Sequence, residues 1–214
     1  MSRKNGMDML NGSISDKILL FALPLAASSI LQQLFNSADV AVVGRYAGSA
    51  ALAAVGSTGP VIGLLINLFV GLSIGANVVA AKYIGQGNED AVKRTVHTSM
   101  LLALLSGIVL FAVGQLIIEP ILLFMSTPED VLPLATLYMR IYFFGMPFTM
   151  LYNFGSALLR SVGDTRRPLF CLMISGVVNV VLNLFFVVVC GRSVDGVAIA
   201  TVSSNIISAG LIIL

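Results

Sequence analysis

The sequence predicts an all-α integral membrane protein in which six helices cross a lipid bilayer and pack into one bundle. Composition is the first observation behind this prediction: 57% of the 214 residues are hydrophobic and only 10% are charged. The mean hydropathy of +0.99 lies far outside the range of ordinary soluble domains. The second observation is that the apolar residues form six long stretches, each able to span roughly 30 Å of hydrocarbon as a helix.

The six helices follow one another along the chain and form a single domain over residues 1–214. We expect them at about 15–44, 50–82, 94–119, 130–160, 168–190 and 196–214. Glycines mark several of the predicted helix ends, and Pro128, Pro133 and Pro168 mark helix starts, as is usual for these two residue types. The segments between the helices are too short to form a further domain.

Three prolines lie inside predicted helices rather than at their starts. Pro24, Pro60 and Pro147 each lack the backbone N–H that an interior helical residue donates, so each favours a bend. We assign Pro24, in helix 1, as a bending point. Helix 2 also carries glycines four residues apart, Gly59 with Gly63 and Gly71 with Gly75, a spacing that favours close helix packing.

The distribution of lysine and arginine predicts how the bundle is oriented. Basic residues flank one set of helix ends, at Arg3, Lys4, Lys17, Lys82, Lys93, Arg94, Arg160, Arg166 and Arg167. The opposite loops contain only Arg45 and Arg192, and one of these loops is acidic at Glu129 and Asp130. Because basic flanks are retained on the cytoplasmic side, both the N-terminus and the C-terminus are expected in the cytoplasm.

Several function classes lack the residues that they need. The chain has one histidine and two cysteines, no H-E-x-x-H motif and no phosphate-binding loop ending in lysine, so we expect no enzymatic activity and no cofactor. Cys171 and Cys190 are separated by almost a membrane thickness at about 1.5 Å per helical residue, which makes a disulfide between them implausible. The basic residues are scattered through short loops, so no nucleic-acid partner is expected.

One carboxylate lies within a predicted span. Asp39 is in helix 1, where a charge costs about 2.5 to 3.5 kcal/mol even on the mildest scale, so it should face the bundle interior and have a partner. Gln32, Asn36 and Asp39 follow one another at steps of four and three and therefore share one helical face. The fifth helix repeats this pattern with Asn179 and Asn183.

These polar residues are expected to meet in the outer half of the bundle. Counting about 1.5 Å per residue from the outer helix ends brings Asp39, Asn183 and Thr201 to a similar depth. Carboxylate, amide and hydroxyl oxygens suit a hard monovalent cation, or Asp39 can hold a proton. A structural network of interhelical hydrogen bonds without any ion is the alternative.

Two further titratable residues have simpler interpretations. Arg140 lies nine residues inside the fourth helix and is expected to reach the outer interface with its long side chain. The single histidine, His97, starts the third helix beside Lys93 and Arg94, where an interfacial or capping role is expected rather than a proton relay.

Four stretches of the chain resemble the multidrug and toxic compound extrusion (MATE) family, and most closely its bacterial DinF-like branch. They are Pro24, Gln32, Asn36, Asp39, Val43 and Gly44 in helix 1; residues 82–87 (KYIGQG); residues 159–168 (LRSVGDTRRP); and Asn179 and Asn183 followed by residues 196–201 (GVAIAT). The stretch at 159–168 is more specific than the one at 82–87, and the likeness covers nearly the whole chain.

The resemblance implies a transport function and the roles of particular residues. Members of this family export organic, often cationic, drugs across the cytoplasmic (inner) membrane while sodium ions or protons run inward. Their twelve helices form two lobes, so this chain corresponds to the N-terminal lobe and its partners are the lipid bilayer, the substrates and the missing C-terminal lobe. The resemblance assigns cation or proton coupling, with sodium as the metal, to Asp39, Asn179, Asn183 and Thr201, with Gln32 beside them. Substrate lining is assigned to Asn36, Met150, Tyr152 and Asn153.

The chain departs from the family pattern at one position, and two other functions stay open. Some family members carry a second carboxylate where this chain has Asn183, and the amide removes one negative charge, so the coupling ion is sodium or a proton. A lobe of a lipid-linked oligosaccharide flippase would need several basic residues in its cleft, whereas only Arg140 is available. A membrane scaffold without transport activity would have no need of the buried Asp39.

Overall fold

The structure is a computed structural model that describes residues 14–214, so Arg3 and Lys4, used above for orientation, lie outside it, as does the side chain of Lys17. The described residues form helices throughout and contain no strand, which confirms the all-α membrane fold. The seven α-helices are α1 (Ile14–Tyr46), α2 (Ser49–Gly85), α3 (Glu89–Phe124), α4 (Leu132–Phe144), α5 (Met146–Ser161), α6 (Arg166–Leu184) and α7 (Val194–Ile213).

Five stretches of the described residues are long and apolar enough to cross a membrane as single helices. They lie in α1, α2, α3 and α7, and in α6 together with the π-helical turn Phe185–Val189 that continues it. The sixth crossing is made by α4 and α5 in series, because α3 ends at one side of the bundle and α6 must begin at the other. Six crossings therefore arise from seven helices.

The fourth predicted helix, at about 130–160, is interrupted at Gly145, two residues before Pro147, where the sequence predicts a bend. Pro147 cannot donate to the carbonyl four residues earlier, so the ladder loses a bond at this point. Gly145 N–H donates instead to Tyr142 O at 2.9 Å, which tightens the turn. A Cβ at Gly145 would lie 3.1 Å from Val202 of α7, so a glycine lets the break pack closely against α7.

The other interior prolines leave their helices unbroken. Helix α1 continues through Pro24 and α2 through Pro60, and α3 continues through Pro120 to Phe124, beyond the end predicted at 119. The Ser28 hydroxyl donates to the Pro24 carbonyl at 2.8 Å. A bend at Pro24 stays a prediction, and any bend there would occur within a continuous helix.

The hydrophobic core lies between α2, α3, α4, α5 and α7. Helix α1 stands at the edge of the bundle, where it packs mainly against α6 and less against α2. The largest fully buried apolar side chains of the described residues are Phe143, Phe154, Leu110, Ile118, Leu122, Met139, Met146 and Met150. The edge position of α1 leaves most of that helix uncovered.

Glycines bring helices together at positions other than those expected from spacing. A Cβ at Gly107 of α3 would lie 2.3 Å from the Pro147 backbone, and a Cβ at Gly176 of α6 would lie 1.9 Å from the Phe35 ring of α1. By contrast, a Cβ at any of the paired glycines of α2 would meet nothing within 4 Å; these are Gly59, Gly63, Gly71 and Gly75. The prediction that these pairs provide close packing is therefore wrong within the described bundle, where their face of α2 is open.

Candidate cation site

A cluster of four polar side chains lies where α1, α6 and α7 meet. Asp39 of α1 is only 8% exposed, and Asn179 and Asn183 of α6 are 5% and 0% exposed. The fourth member, Thr201, comes from α7 and is half-buried. The sequence positions predicted that these residues would share one level, and the structure brings all four together; we call them the Asp39 cluster.

Hydrogen bonds link the members of the cluster in a chain. The Asn183 amide donates both to the Asp39 carboxylate and to the Asn179 side-chain oxygen at 3.3 Å. The Asn179 amide in turn donates to the Thr201 hydroxyl at 3.4 Å, and this hydroxyl donates to the Val197 carbonyl at 3.0 Å. All partners of the Asp39 carboxylate in this chain of bonds are therefore neutral.

One buried oxygen in the cluster has no hydrogen-bond partner. Asn183 uses its amide N–H groups for Asp39 and Asn179, which leaves its side-chain oxygen buried and unpaired. A buried unpaired acceptor costs about 1 to 3 kcal/mol, and a bound cation or a proton donor such as water would remove this cost. Such an atom beside a carboxylate is a feature that a cation site requires.

The ligand set fits a monovalent cation or a proton better than a multivalent metal. The cluster offers carboxylate, amide and hydroxyl oxygens, the hard ligands that alkali and alkaline-earth cations prefer. Its one carboxylate balances a single positive charge. No group of three or more His, Cys, Asp or Glu side chains occurs among the described residues, so nothing described here matches the usual ligand sets of zinc or iron.

A pair of tyrosines in α4 was missed from the sequence. Tyr138 and Tyr142 have ring centroids 5.8 Å apart. Tyr138 is 6% exposed. The sequence did contain a signal for this pair, because two tyrosines four residues apart place two hydroxyl groups on one face of a predicted membrane-spanning helix.

Gln32 and Asn36 share the face of α1 that carries Asp39 but do not join the cluster. Both side chains are exposed, and neither has a hydrogen bond among those found for the described residues. Gln32 precedes Asp39 by seven residues, which is about 10 Å along a helix. The two amides therefore lie on the uncovered surface of α1, below a carboxylate that is buried.

The residues assigned to substrate lining in α5 divide into two groups. Met150 is 0% exposed and belongs to the hydrophobic core of the described bundle, and its assignment to substrate lining stays a prediction. Tyr152 and Asn153 are half-buried. The Tyr152 hydroxyl donates to Pro168 O at 3.1 Å and the Asn153 amide to Thr149 O at 2.9 Å, so both side chains are held by backbone carbonyls.

A second polar contact, also missed from the sequence, joins α7 to the helix break. The Asn205 amide donates to the Thr149 hydroxyl at 3.0 Å, and this hydroxyl donates to the Gly145 carbonyl at 3.1 Å. Asn205 follows Thr201 by four residues and so lies on the same face of α7. Helix α7 thus connects the Asp39 cluster to the interrupted crossing.

The loop before α6 is held by a buried acidic side chain. One Asp164 carboxylate oxygen accepts from the backbone N–H groups of Arg166 and Arg167 at 3.2 and 3.1 Å, and the other pairs with the Arg167 guanidinium at 3.0 Å. Negative charge at the first turn of a helix is stabilising there. Asp164 accordingly fixes the start of the helix that carries Asn179 and Asn183.

Comparison with known proteins gives consistent results. A family model described as MatE matches residues 24–185. The probable multidrug resistance protein YoeA of Bacillus subtilis is 35% identical over 79% of this chain and 37% of its own length. The probable multidrug resistance protein NorM of Thermotoga maritima is 32% identical over 93% of this chain and 44% of its own length.

Solved structures agree with the sequence comparison. The outward-facing structure of a multidrug resistance MATE family transporter of the MOP superfamily superposes with a TM-score of 0.88 and 26% identity, covering 98% of this chain and 47% of that one. The chain thus spans about half the length of the relatives that it matches. The described bundle corresponds to one of two similar-sized parts of such a protein.

Proposed function

Because the chain belongs to the MatE family, whose model matches residues 24–185, we propose that it forms the N-terminal lobe of a cation-coupled antiporter. The complete protein would export organic, often cationic, drugs and toxic compounds across the cytoplasmic membrane while sodium ions or protons run inward. The names of the relatives, probable multidrug resistance proteins, support export of drugs. Membership in a family of transporters also favours transport over an enzymatic reaction.

The observation that carries the coupling part of this proposal is the buried Asp39 with neutral partners. A carboxylate in an apolar bundle is costly when it is charged and has no countercharge. Amide and hydroxyl partners reduce this cost only in part, so the site gains most when a cation or a proton neutralises Asp39. The unpaired oxygen of Asn183 gives an entering sodium ion a second ligand.

Transport would follow from exchange of charge at this site. Binding of one cation can drive release of another only if the two bind with different affinity to different conformations. Alternating access in transporters of this general kind uses two bundles that rock against each other around a shared site. The exposed face of α1, with Gln32 and Asn36, is the surface we assign to the second lobe and the substrate.

The flippase alternative lacks the number of basic residues that it needs. That function requires several basic groups in a cleft for a pyrophosphate, and Arg140 was the one basic residue inside a predicted span. In the structure its guanidinium pairs with Glu119 at 2.6 Å on α3, away from the Asp39 cluster. The scaffold alternative gives no reason for a carboxylate buried among amides.

The test of the coupling role is substitution of Asp39 in the protein as its gene encodes it. Asp39→Asn should insert normally and lose cation-driven drug export, because a neutral amide can neither take up a proton nor balance a cation. Asn179→Ala should weaken export less. Dye efflux and drug resistance at equal amounts of membrane protein measure both effects, and Glu119→Gln is the matched control because it neutralises a carboxylate outside the cluster. Full efflux by Asp39→Asn would remove Asp39 from the mechanism.

A binding measurement separates sodium from protons. Ligands that bind only the folded protein raise its melting temperature, so sodium at constant pH, or a fall in pH without sodium, should stabilise the purified protein. Asp39→Asn should abolish whichever response occurs. Potassium at equal ionic strength controls for general salt effects. A response that persists in Asp39→Asn would place the ion elsewhere.

A further inference from the structure

A groove on the outside of the bundle, between the end of α3 and the start of α4, combines apolar walls with an ion pair. Its volume is about 400 Å³. The walls include Leu123, Pro133 and Leu137, and the polar side chains are Glu119, Thr136 and Arg140. None of these residues belongs to the Asp39 cluster.

The ion pair in the groove has unused hydrogen-bonding groups. One Arg140 nitrogen donates to one Glu119 oxygen at 2.6 Å, and the two side chains remain 49% and 57% exposed. A guanidinium has five N–H donors and a carboxylate has two oxygens. The pair therefore presents further donors on one side and a free acceptor oxygen on the other, and these groups need partners.

The sequence of α3 places the pair at the level of the lipid headgroups. Residues 98–118 carry no charge, and these 21 residues span about 31 Å as a helix, close to the thickness of the hydrocarbon layer. Glu119 is the first charged residue after this stretch, and Arg140 is at the same level because the two side chains are in contact. The ion pair therefore lies at the boundary where phosphate and ammonium groups are found.

The groove also faces away from the part of the bundle that the second lobe would cover. Helix α1 packs mainly against α6 and α2, and no residue of α1 or α6 lines the groove. Around the groove, Leu116 is 78%, Leu123 62% and Phe124 90% exposed. Large apolar side chains exposed in this way on a membrane helix are typical of a surface in contact with acyl chains.

We propose that this groove binds the headgroup of a phospholipid that carries both a phosphate and a primary ammonium group, in the leaflet on the side of the 125–131 loop. The phosphate accepts hydrogen bonds from the free N–H groups of Arg140, and the ammonium donates to the free oxygen of Glu119. The acyl chains lie along the apolar walls. A zwitterionic headgroup satisfies both members of the pair at once.

Charge complementarity selects this class of lipid over two others. A glycerol headgroup offers a phosphate and hydroxyl donors but no positive charge, so its hydrogen bond to Glu119 would lack charge assistance and nothing would offset the repulsion between Glu119 and the phosphate. A choline headgroup has the same charges but no N–H to donate. The proposal depends on insertion of the protein in a membrane and not on the proposed transport function.

Native mass spectrometry of the protein as its gene encodes it tests this lipid site. The probes are phosphatidylethanolamine, phosphatidylcholine and phosphatidylglycerol with identical acyl chains, offered in equal amounts. We expect the ethanolamine lipid to be retained about fivefold more than the other two, consistent with the upper end of measured surface ion-pair energies. Equal retention of the three lipids would overturn the proposal.

Variants connect the preference to the groove. Glu119→Gln should abolish the discrimination between ethanolamine and choline lipids, and Thr136→Phe should reduce retention of the ethanolamine lipid by filling the groove while leaving the ion pair intact. Asp195→Asn is the control because it breaks another exposed ion pair, with Arg192 at 3.0 Å, that does not line the groove. A preference unchanged in both groove variants, as expected if lipid binds elsewhere or another protein segment covers the groove, would contradict the assignment.

Discussion

Asp39 and Glu119 are two carboxylates on apolar helices, and they differ in burial and in the charge of their partners. Asp39 is 8% exposed and has a neutral amide partner, Asn183 of α6, which is linked through Asn179 to the Thr201 hydroxyl of α7. Glu119 has a side chain that is 57% exposed and an arginine partner. The Asp39 carboxylate is buried without a positively charged partner, whereas the Glu119 carboxylate is exposed and has one.

The difference lies in whether the carboxylate has a permanent countercharge. An arginine stays protonated at any physiological pH, so Glu119 always has a positively charged partner. The hydrogen-bond partners of Asp39 are neutral, so its proposed coupling role requires a cation or a proton to balance its charge. We expect the kind of partner, rather than the presence of a carboxylate in a helix, to separate a coupling site from an anchoring site.

The largest expected effect is in a labelling experiment that tests on which side of the membrane Asp39 and Glu119 lie. On a background lacking Cys171 and Cys190, Gln86→Cys in the α2–α3 loop should be protected from an impermeant thiol reagent added outside the cell. Glu129→Cys in the α3–α4 loop should react fully, because the nine-to-two distribution of basic residues predicts this loop to be outside.

Labelling of permeabilised cells provides the control, since both cysteines should then react. The reverse labelling pattern in intact cells would mean that the bundle has the opposite orientation to the predicted one. Asp39 and Glu119 would then both lie toward the cytoplasm.

The next effect is the stability that Asn183 gives to Asp39. Asn183→Leu removes the amide donor at a fully buried position while keeping the number of side-chain heavy atoms, and we expect a loss of about 2 to 3 kcal/mol of unfolding free energy. Adding Asp39→Leu should restore much of this loss, because the carboxylate then no longer needs a partner. Chemical unfolding in detergent measures both variants. If Asn183→Leu cost the same with and without the carboxylate, the two residues would be independent.

A somewhat smaller effect is expected at the contact between α6 and α1, where Gly176 lies against the Phe35 ring. Gly176→Ala places a methyl group 1.9 Å from the Phe35 ring, and overpacking of this kind costs about 1 to 3 kcal/mol. It also moves α1 away from Asn183, so drug export should fall. Gly59→Ala is the matched control, since its methyl group meets nothing within 4 Å. Phe35→Leu should partly rescue Gly176→Ala, and an effect equal to that of the control would mean that this contact does not position Asp39.

Apolar stretches and charge placement were enough to predict the helical membrane fold and the meeting of Asp39 with Asn179, Asn183 and Thr201. Rise per residue fixes depth along a helix, and depth is what brought these four residues together. The start of α3 was missed because only uncharged residues were counted. In the structure Asn88 caps that helix by accepting from Ala91 N–H at 3.0 Å, and the helix continues through charged residues outside the hydrocarbon.

Features that depend on which helices become neighbours were not predicted. Pro147 predicted a bend, but the interruption at Gly145 and its close approach to Val202 of α7 were not predicted. The pairing of Arg140 with Glu119 depends on the angle between α3 and α4, which periodicity does not give. The expectation that Arg140 reaches toward the interface stays a prediction, but the structure adds a partner 21 residues earlier in the chain.

The smallest expected effect is the contribution of the Glu119 and Arg140 pair to stability. Exposed ion pairs contribute about 0.2 to 1 kcal/mol in double-mutant cycles, because each side chain loses rotamer freedom and solvent screens the attraction. A cycle built from Glu119→Gln, Arg140→Gln and the double variant in detergent should therefore give a coupling energy in this range. The coupling should shrink when the salt concentration is raised from 0.1 to 1 M, since the screening length falls from about 10 to 3 Å.

The same cycle on Asp195 and Arg192, an exposed pair with a longer contact of 3.0 Å, provides the control and should give an equal or smaller value. A coupling of 3 kcal/mol or more for Glu119 and Arg140, insensitive to salt, would mean that the pair is desolvated like Asp39. The two carboxylates would then no longer differ in their surroundings. When the ethanolamine lipid is added, a headgroup bound to both Glu119 and Arg140 is expected to increase the coupling energy. Comparing the cycle with and without this lipid therefore separates the contribution of the ion pair from that of the bound lipid.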